Sequence, residues 1–173
     1  MLSLTAVQDG APVPVPDPVR MVHLQLRRFA GCPICHLHLR SFVRRHAEIE
    51  SAGILEVVVF HSAADELRPH VTDLPFPAVA DPQRRLYRRF GAEPSVRSLL
   101  DPRVYYPVVR AVTVGTVEFL RGRAKLPSLK PTGGRLGLPA DLLFAPGGDI
   151  VARKNGVHAD DQWSVDEVLE LAR

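Results

Sequence analysis

The two cysteines of this 173-residue chain stand three positions apart, as Cys32-Pro33-Ile34-Cys35. Two thiols at that spacing, opening a helix, can close a small disulfide and reopen it. With no third cysteine, the pair cannot belong to a structural disulfide framework or a four-thiolate zinc site. A thiol attacks as its anion, and the unpaired N–H groups and dipole of a helix mouth bring its pKa from about 8.5 into the range of about 3.5 to 7.5. Cys32 occupies that position, and Arg27 or Arg28 adds positive charge if either faces inward. Cys35, one turn later, can attack a mixed disulfide or sulfenic acid formed on Cys32. Pro33 suits a first helical turn because it lacks a donor. Cys32 is therefore the expected nucleophile and Cys35 the resolving thiol.

Other chemistry shares these residues. Cys35-His36 completes Cys-x-x-Cys-His, the attachment signature of c-type haem, which requires export and an open helical pocket. Zinc held by Cys32, Cys35 and His36 or His38 lacks the second, distant ligand pair of a structural site. Neither fits the surrounding pattern as well as thiol redox chemistry.

The elements around the pair alternate. Val22 to Phe29 reads as a strand, with Val22, Leu24 and Leu26 on one face and His23, Gln25 and Arg27 on the other. That polar face argues against a central, doubly buried position. From Cys32 to about Ser51 the stripe Cys35, Leu39, Phe42, Val43, His46 and Ile49 predicts one helix. It shields Cys35, leaves Cys32 exposed at the mouth, and makes His46 a core residue. Ile54 to Phe60 is a β-branched, nearly continuous apolar strand. Ser62 to His70 reads as a short helix, Phe76 to Ala80 as a strand, and Asp81-Pro82 as the start of a helix running to Phe90. This is the β-α-β-α-β-α rhythm of a sheet with helices on its faces.

Residues 92–138 interrupt the rhythm and read as an insertion. Ser95 to Leu100 carries a helical pattern, Tyr105 to Arg121 suits helix and strand alike, and Leu126 to Gly137 is a Pro/Gly-rich loop. Ala140 to Ala145 and Asp149 to Lys154 form a hairpin across Pro146-Gly147-Gly148. Ser164 and Glu167 form a capping box, with Trp163 and Val168 at staple positions, opening the last helix. Residues 1–20, rich in proline from Ala11 to Pro18, read as an extended arm before one domain spanning 21–173.

Composition narrows the setting. The net charge of +3 and pI near 9.2 come almost wholly from arginine, without the basic runs and interleaved aromatics of a nucleic-acid surface. No apolar run reaches the length of a membrane span. No export signal is legible, so a reducing, cytoplasmic setting is expected, where a Cys-x-x-Cys is catalytic or metal-binding rather than structural.

The strand, the Gly31-Cys32-Pro33-Ile34-Cys35 turn, the long helix, the Val57-Val58-Val59-Phe60 strand and the run from Gly137 to Phe144 together resemble the thioredoxin superfamily. Phe29 to Cys35, Ala80 to Gly91 and Gly137 to Phe144 look more narrowly like its peroxiredoxin-like branch, the alkyl hydroperoxide reductase/thiol-specific antioxidant type. The resemblance covers roughly residues 20–173. It implies an α/β thioredoxin-like fold, a central mixed sheet flanked by helices with a helical and loop insertion before the C-terminal hairpin. It also implies a thiol-dependent antioxidant oxidoreductase that reduces hydroperoxides. Phe29, Gly31, Pro33 and Pro139 would border the substrate, with Leu138-Pro139 cis beside Cys32. Electrons would come from a thioredoxin- or glutathione-type donor, no organic cofactor is needed, and a homodimer is among the assemblies it allows. The chain departs from the peroxiredoxin Pro-x-x-x-Thr-x-x-Cys loop: the threonine slot falls on Phe29 if Cys32 attacks, or on Cys32 if Cys35 attacks. No position matches the activating arginine. The competing readings are a thioredoxin-like protein disulfide reductase and a redox-sensing interaction module whose surface is the 92–138 insertion.

Overall fold

The structure is a computed structural model and describes residues 2–92, 105–120, 132, 134 and 136–173. In chain order the elements are β1 (Leu2–Thr5), β2 (Pro12–Val15), β3 (Met21–Arg27), α1 (Pro33–Arg44), α2 (His46–Ser51), β4 (Ile54–Phe60), α3 (Ala64–Val71) and β5 (Ala78–Ala80). They continue with α4 (Arg85–Arg89), α5 (Tyr105–Leu120), β6 (Ala140–Phe144), β7 (Ile150–Asn155) and α6 (Val165–Leu171). The sheet order is β5-β4-β3-β6-β7; β3, β4 and β5 are parallel, while β6 and β7 each run antiparallel to the preceding neighbour. This is the thioredoxin-like mixed sheet with helices on its faces.

Two apolar layers sandwich that sheet. One gathers Cys32, Cys35, Phe42, Ile49, Leu67, Trp163 and Val168. The other gathers Val22, Leu24, Leu26, Val57, Val59, Leu86 and Phe90, and includes Val13 and Val15. Residues 1–20, expected as an extended arm, are thus part of the packed fold. Leu2 pairs with Val15 and Thr5 with Pro12 in an antiparallel hairpin that buries Leu4, Val13 and Val15, because the apolar residues alternate with the prolines and point to one side. Beyond the hairpin, Ala6 bridges Val79, the Val7 N–H donates to the Ala78 carbonyl, and the Gln8 side chain bonds both Ala78 and Phe76.

The long helix is interrupted. Arg45, at φ −110° and ψ 18°, separates α1 from α2. Its guanidinium binds Glu48 and Asp166. The break takes Val43 out to 36% exposure and leaves His46 half-buried, so the inward stripe is Cys35, Leu39, Phe42 and Ile49. Asp81 caps α4 from further away than expected: its carboxylate accepts the N–H groups of Arg85 and Leu86, and Arg84 adopts a left-handed φ of 54° between them. Of the insertion, Tyr105–Leu120 is helical and packs on α1, settling the helix–strand competition. The helical pattern at Ser95 to Leu100 lies outside the described residues, as does most of Leu126 to Gly137. The Ser164–Glu167 capping box is present in both directions.

The polar face of β3 did not exile it to an edge. It is the central strand, and His23, Gln25, Arg27, Glu56 and Asp141 are all fully buried. The register explains why: His23 lies opposite Glu56 on β4, and Gln25 lies opposite Asp141 on β6. His23 Nδ1 bonds the Glu56 carboxylate at 2.9 Å, and its Nε2 bonds Asp141 at 3.1 Å. Arg27 grips Asp141 through Nη2 at 2.7 Å and Nη1 at 3.2 Å, and Gln25 links Glu56 to Arg27. Burial alone would drive charge off His23, but the Glu56 charge and the two carboxylate bonds prevail and raise its pKa to about 9. Burial likewise opposes charge on Asp141, yet Arg27 and His23 hold it well below the usual carboxylate range. A buried charge is tolerable only when it is paired and hydrogen-bonded, and here each is.

Candidate active site

The turn Phe29-Ala30-Gly31 joins β3 to α1 and delivers the cysteine pair at the end of the central strand. The Cys32 N–H donates to the Phe29 carbonyl, and Gly31 takes a φ of +73° that few other residues adopt. The Ala30 N–H donates to Ser62 Oγ at 2.9 Å, tying the turn to the chain after β4. Cys32 is the N-cap of α1, Pro33 follows at its first position, and the Cys32 carbonyl accepts the His36 N–H.

The two sulfurs differ in charge rather than in exposure. Both are buried, Cys32 to 2% and Cys35 to 1%, so the exposed position expected for Cys32 is corrected. The Cys35 thiol donates to Cys32, and this bond is the main influence lowering the Cys32 pKa to about 7. Burial works against it, while the Arg28 guanidinium and the N–H groups of Cys35 and Ile34 reinforce it. Arg28 Nη1 stands 3.9 Å from Cys32 Sγ, and its guanidinium rests 5.4 Å from the Phe29 ring centroid. Burial and the neighbouring Cys32 sulfur push Cys35 well above the ordinary thiol value. Near neutral pH one sulfur is thus substantially anionic and its neighbour stays protonated, the arrangement that a nucleophile and its resolving partner require.

Arg28, not Arg27, supplies the charge; Arg27 is committed to Asp141. Phe29, Gly31 and Pro33 lie in the turn around Cys32. Pro139 precedes Ala140, which pairs with Leu26 near the end of β3. Its carbonyl accepts the Gly156 N–H at 2.9 Å. Among the described residues the cis peptide bond is Val15–Pro16, so Leu138–Pro139 is trans. His38 turns toward Arg27, with Nε2 3.4 Å from Nη2, and burial followed by that positive charge lowers its pKa to about 3. Among the described residues no three His, Cys, Asp or Glu side chains gather as metal ligands, and no helix is long and apolar enough to cross a membrane.

Sequence reasoning passed over His61, which follows β4 and is fully buried, and the Glu56–His23–Asp141–Arg27 network beneath α1. The available signal was a lone acid in each of two otherwise apolar strands, Glu56 and Asp141.

The family model described as AhpC/TSA antioxidant enzyme matches residues 41–158. The chain belongs to the AhpC/TSA antioxidant enzyme family. It is thereby a peroxiredoxin-like thiol oxidoreductase by kinship. The matched segment begins after Cys35 and does not include the cysteine pair. Among solved structures, the fold is similar to Xanthomonas campestris peroxiredoxin Q, with a TM-score of 0.65 and 16% identity over 99% of this chain and 89% of that one. It is also similar to the peroxidoxin BcpB of Mycobacterium tuberculosis, with a TM-score of 0.67 and 13% identity over 99% and 91%. A putative thiol:disulfide interchange protein DsbE from Chlorobium tepidum matches with a TM-score of 0.58 and 13% identity over 99% and 93%. At these identities the likeness is one of fold. No curated protein sequence matches the chain.

Proposed function

We propose that this antioxidant-family oxidoreductase reduces hydroperoxides through Cys32, with Cys35 as the resolving thiol. The observation that carries the reading is the buried Cys32–Cys35 pair at the mouth of α1 with Arg28 Nη1 3.9 Å from Cys32 Sγ, an arrangement that lowers the Cys32 pKa to about 7 and raises that of Cys35. The Cys32 thiolate attacks one peroxide oxygen, the O–O bond breaks, and the departing oxygen leaves as the alcohol or water carrying the peroxide proton. Sulfur is oxidised by two electrons to the sulfenate. Cys35 then attacks that sulfur, the oxygen leaves as water after taking up the Cys35 proton and one from solvent, and a disulfide forms. Two thiols from a thioredoxin- or glutathione-type donor restore the pair. Phe29, Gly31 and Pro33 border the attacking sulfur in this reading, and Pro139 closes the neighbouring strand end. A reducing, cytoplasmic setting and a homodimer accord with the reading.

Stopped-flow mixing of the reduced protein with hydrogen peroxide and with tert-butyl hydroperoxide, followed by mass mapping of the oxidised sulfurs, tests it. Loss of two thiols per peroxide and a Cys32–Cys35 disulfide is expected. A second reading, protein disulfide reduction, draws on the Cys-x-x-Cys turn and on Phe29 in the threonine slot. Turnover of a protein disulfide with no peroxide consumption would establish that reading in place of the first.

A further inference from the structure

The peroxiredoxin loop places a threonine hydroxyl beside the attacking sulfur; here that slot holds the buried, apolar Phe29. A substrate oxygen then needs another donor, and one side chain close to Arg28 has unused hydrogen-bonding capacity. His61 is fully buried, and neither Nδ1 nor Nε2 has a hydrogen-bond partner among the described residues. Leaving buried polar atoms unpaired is costly, and such a group in a native interior points to a role. It is also locked in place: its backbone N–H donates to the Arg28 carbonyl at 3.1 Å, and its ring meets Tyr87 edge-on at 5.6 Å.

The Nε2 edge is kept clear. A Cβ at Gly137 would come within 3.0 Å of His61 Nε2 and 3.9 Å of Arg28 Cγ. That approach is tighter than an ordinary contact, so glycine there keeps any side chain from pressing on the imidazole edge that faces Arg28. Burial, followed by the charges of Arg84 and Arg28, lowers the His61 pKa to about 4, so the ring is neutral and offers one N–H and one bare nitrogen.

Resting on the hydroperoxide reading above, we propose that His61 is the substrate-holding residue: its neutral imidazole hydrogen-bonds the oxygen of a hydroperoxide lodged beside Gly137 and Arg28, in the place of the missing threonine. It holds the substrate and gives up no proton in the O–O cleavage step.

His61→Phe and His61→Gln, with Gly137→Ala as an independent variant, test this against wild type. Two rates are measured on each reduced protein: oxidation by hydrogen peroxide, and alkylation by iodoacetamide, which reports the thiolate without a peroxide oxygen. His61→Phe and Gly137→Ala should slow peroxide oxidation about 10- to 100-fold, the range of one lost buried hydrogen bond, while alkylation stays within about twofold. His61→Gln, which keeps an N–H, should recover a substantial part of the loss. His61→Phe should also melt at or above the wild-type temperature, since it removes unpaired polar atoms. Equal slowing of both reactions, or an unchanged peroxide rate in His61→Phe, overturns the assignment. A wild type that consumes no peroxide overturns the hydroperoxide reading itself, and this inference with it; a competent wild type with indifferent variants overturns the inference alone.

Discussion

Replacing Arg28 by methionine removes the guanidinium that reaches Cys32 Sγ while keeping an unbranched stem beside Phe29. At the observed 3.9 Å, a unit charge pair is worth about 1 kcal/mol in water and about 4 kcal/mol at an effective dielectric near 20. At about 1.4 kcal/mol per pH unit, that corresponds to a midpoint displaced by about 1 to 3 units. Cys35 and the helix N–H groups still act on Cys32, so the Arg28→Met midpoint should rise from about 7 to about 8.5. At pH 7 the thiolate fraction then drops from about one half to about 3%, while the more basic sulfur becomes about fivefold more nucleophilic through a Brønsted slope near 0.45. The two effects leave iodoacetamide alkylation about threefold slower at pH 7 and about fivefold faster at pH 10. The assay is alkylation rate against pH, paired with thiolate absorbance in the ultraviolet. A crossing of the wild-type and variant curves is the signature. A midpoint that stays near 7, or slowing at both pH values, refutes the electrostatic role of Arg28.

Cys35→Ala should raise the Cys32 midpoint, because the Cys35 thiol donation is the largest influence lowering it, whereas Cys35→Ser keeps a donor and should shift it less; titration of thiolate absorbance separates them. Both variants should stop at the sulfenic acid, which mass spectrometry after dimedone trapping detects. Asp141→Asn leaves Arg27 and His23 without their shared carboxylate and should destabilise the fold by about 3–5 kcal/mol, read from urea midpoints. The His23 pKa is raised to about 9, so its contribution is complete below about pH 6.5 and fades as pH rises through 9; urea stability should fall between pH 7 and 10, and a flat profile would contradict it. Asp141 acts at the other limb, its contribution present above about pH 4 and lost as acid protonates it. Ser164→Ala removes the cap of α6 and should cost about 1 kcal/mol in thermal or urea unfolding.

Local signals read well from the chain. The β-branched run Ile54–Phe60, the Pro146-Gly147-Gly148 hairpin and the Ser164–Glu167 box each depend on neighbours within a few residues. The cysteine turn was legible for the same reason, since helix mouth and sulfur spacing are short-range. What escaped depends on register across the sheet. His23, Gln25 and Arg27 look like a solvent face until Glu56 and Asp141, 33 and 118 residues from His23, are brought alongside. The proline-rich start reads as an arm because the apolar cluster that Val13 and Val15 join is built from β3, β4, α4 and β6, far along the chain. Cys32 was placed in solvent because helix periodicity does not show what the adjoining turn covers. His61 carried no sequence signal: a single histidine after an apolar strand is ordinary until its ring nitrogens are seen to lack partners.

The Ala6–Val79 bridge has a consequence for assembly. An open rim of a sheet offers a ladder of donors and acceptors onto which a foreign strand can add. At β5 that ladder is already occupied by the chain's own residues 6–8. Among the described residues β7 forms the other border, where Arg153 and Lys154 point to opposite faces, Arg153 bonding Asn155 and the Phe90 carbonyl and Lys154 pairing with Asp161. The chain thus guards the β5 border by laying its own N-terminal backbone along it.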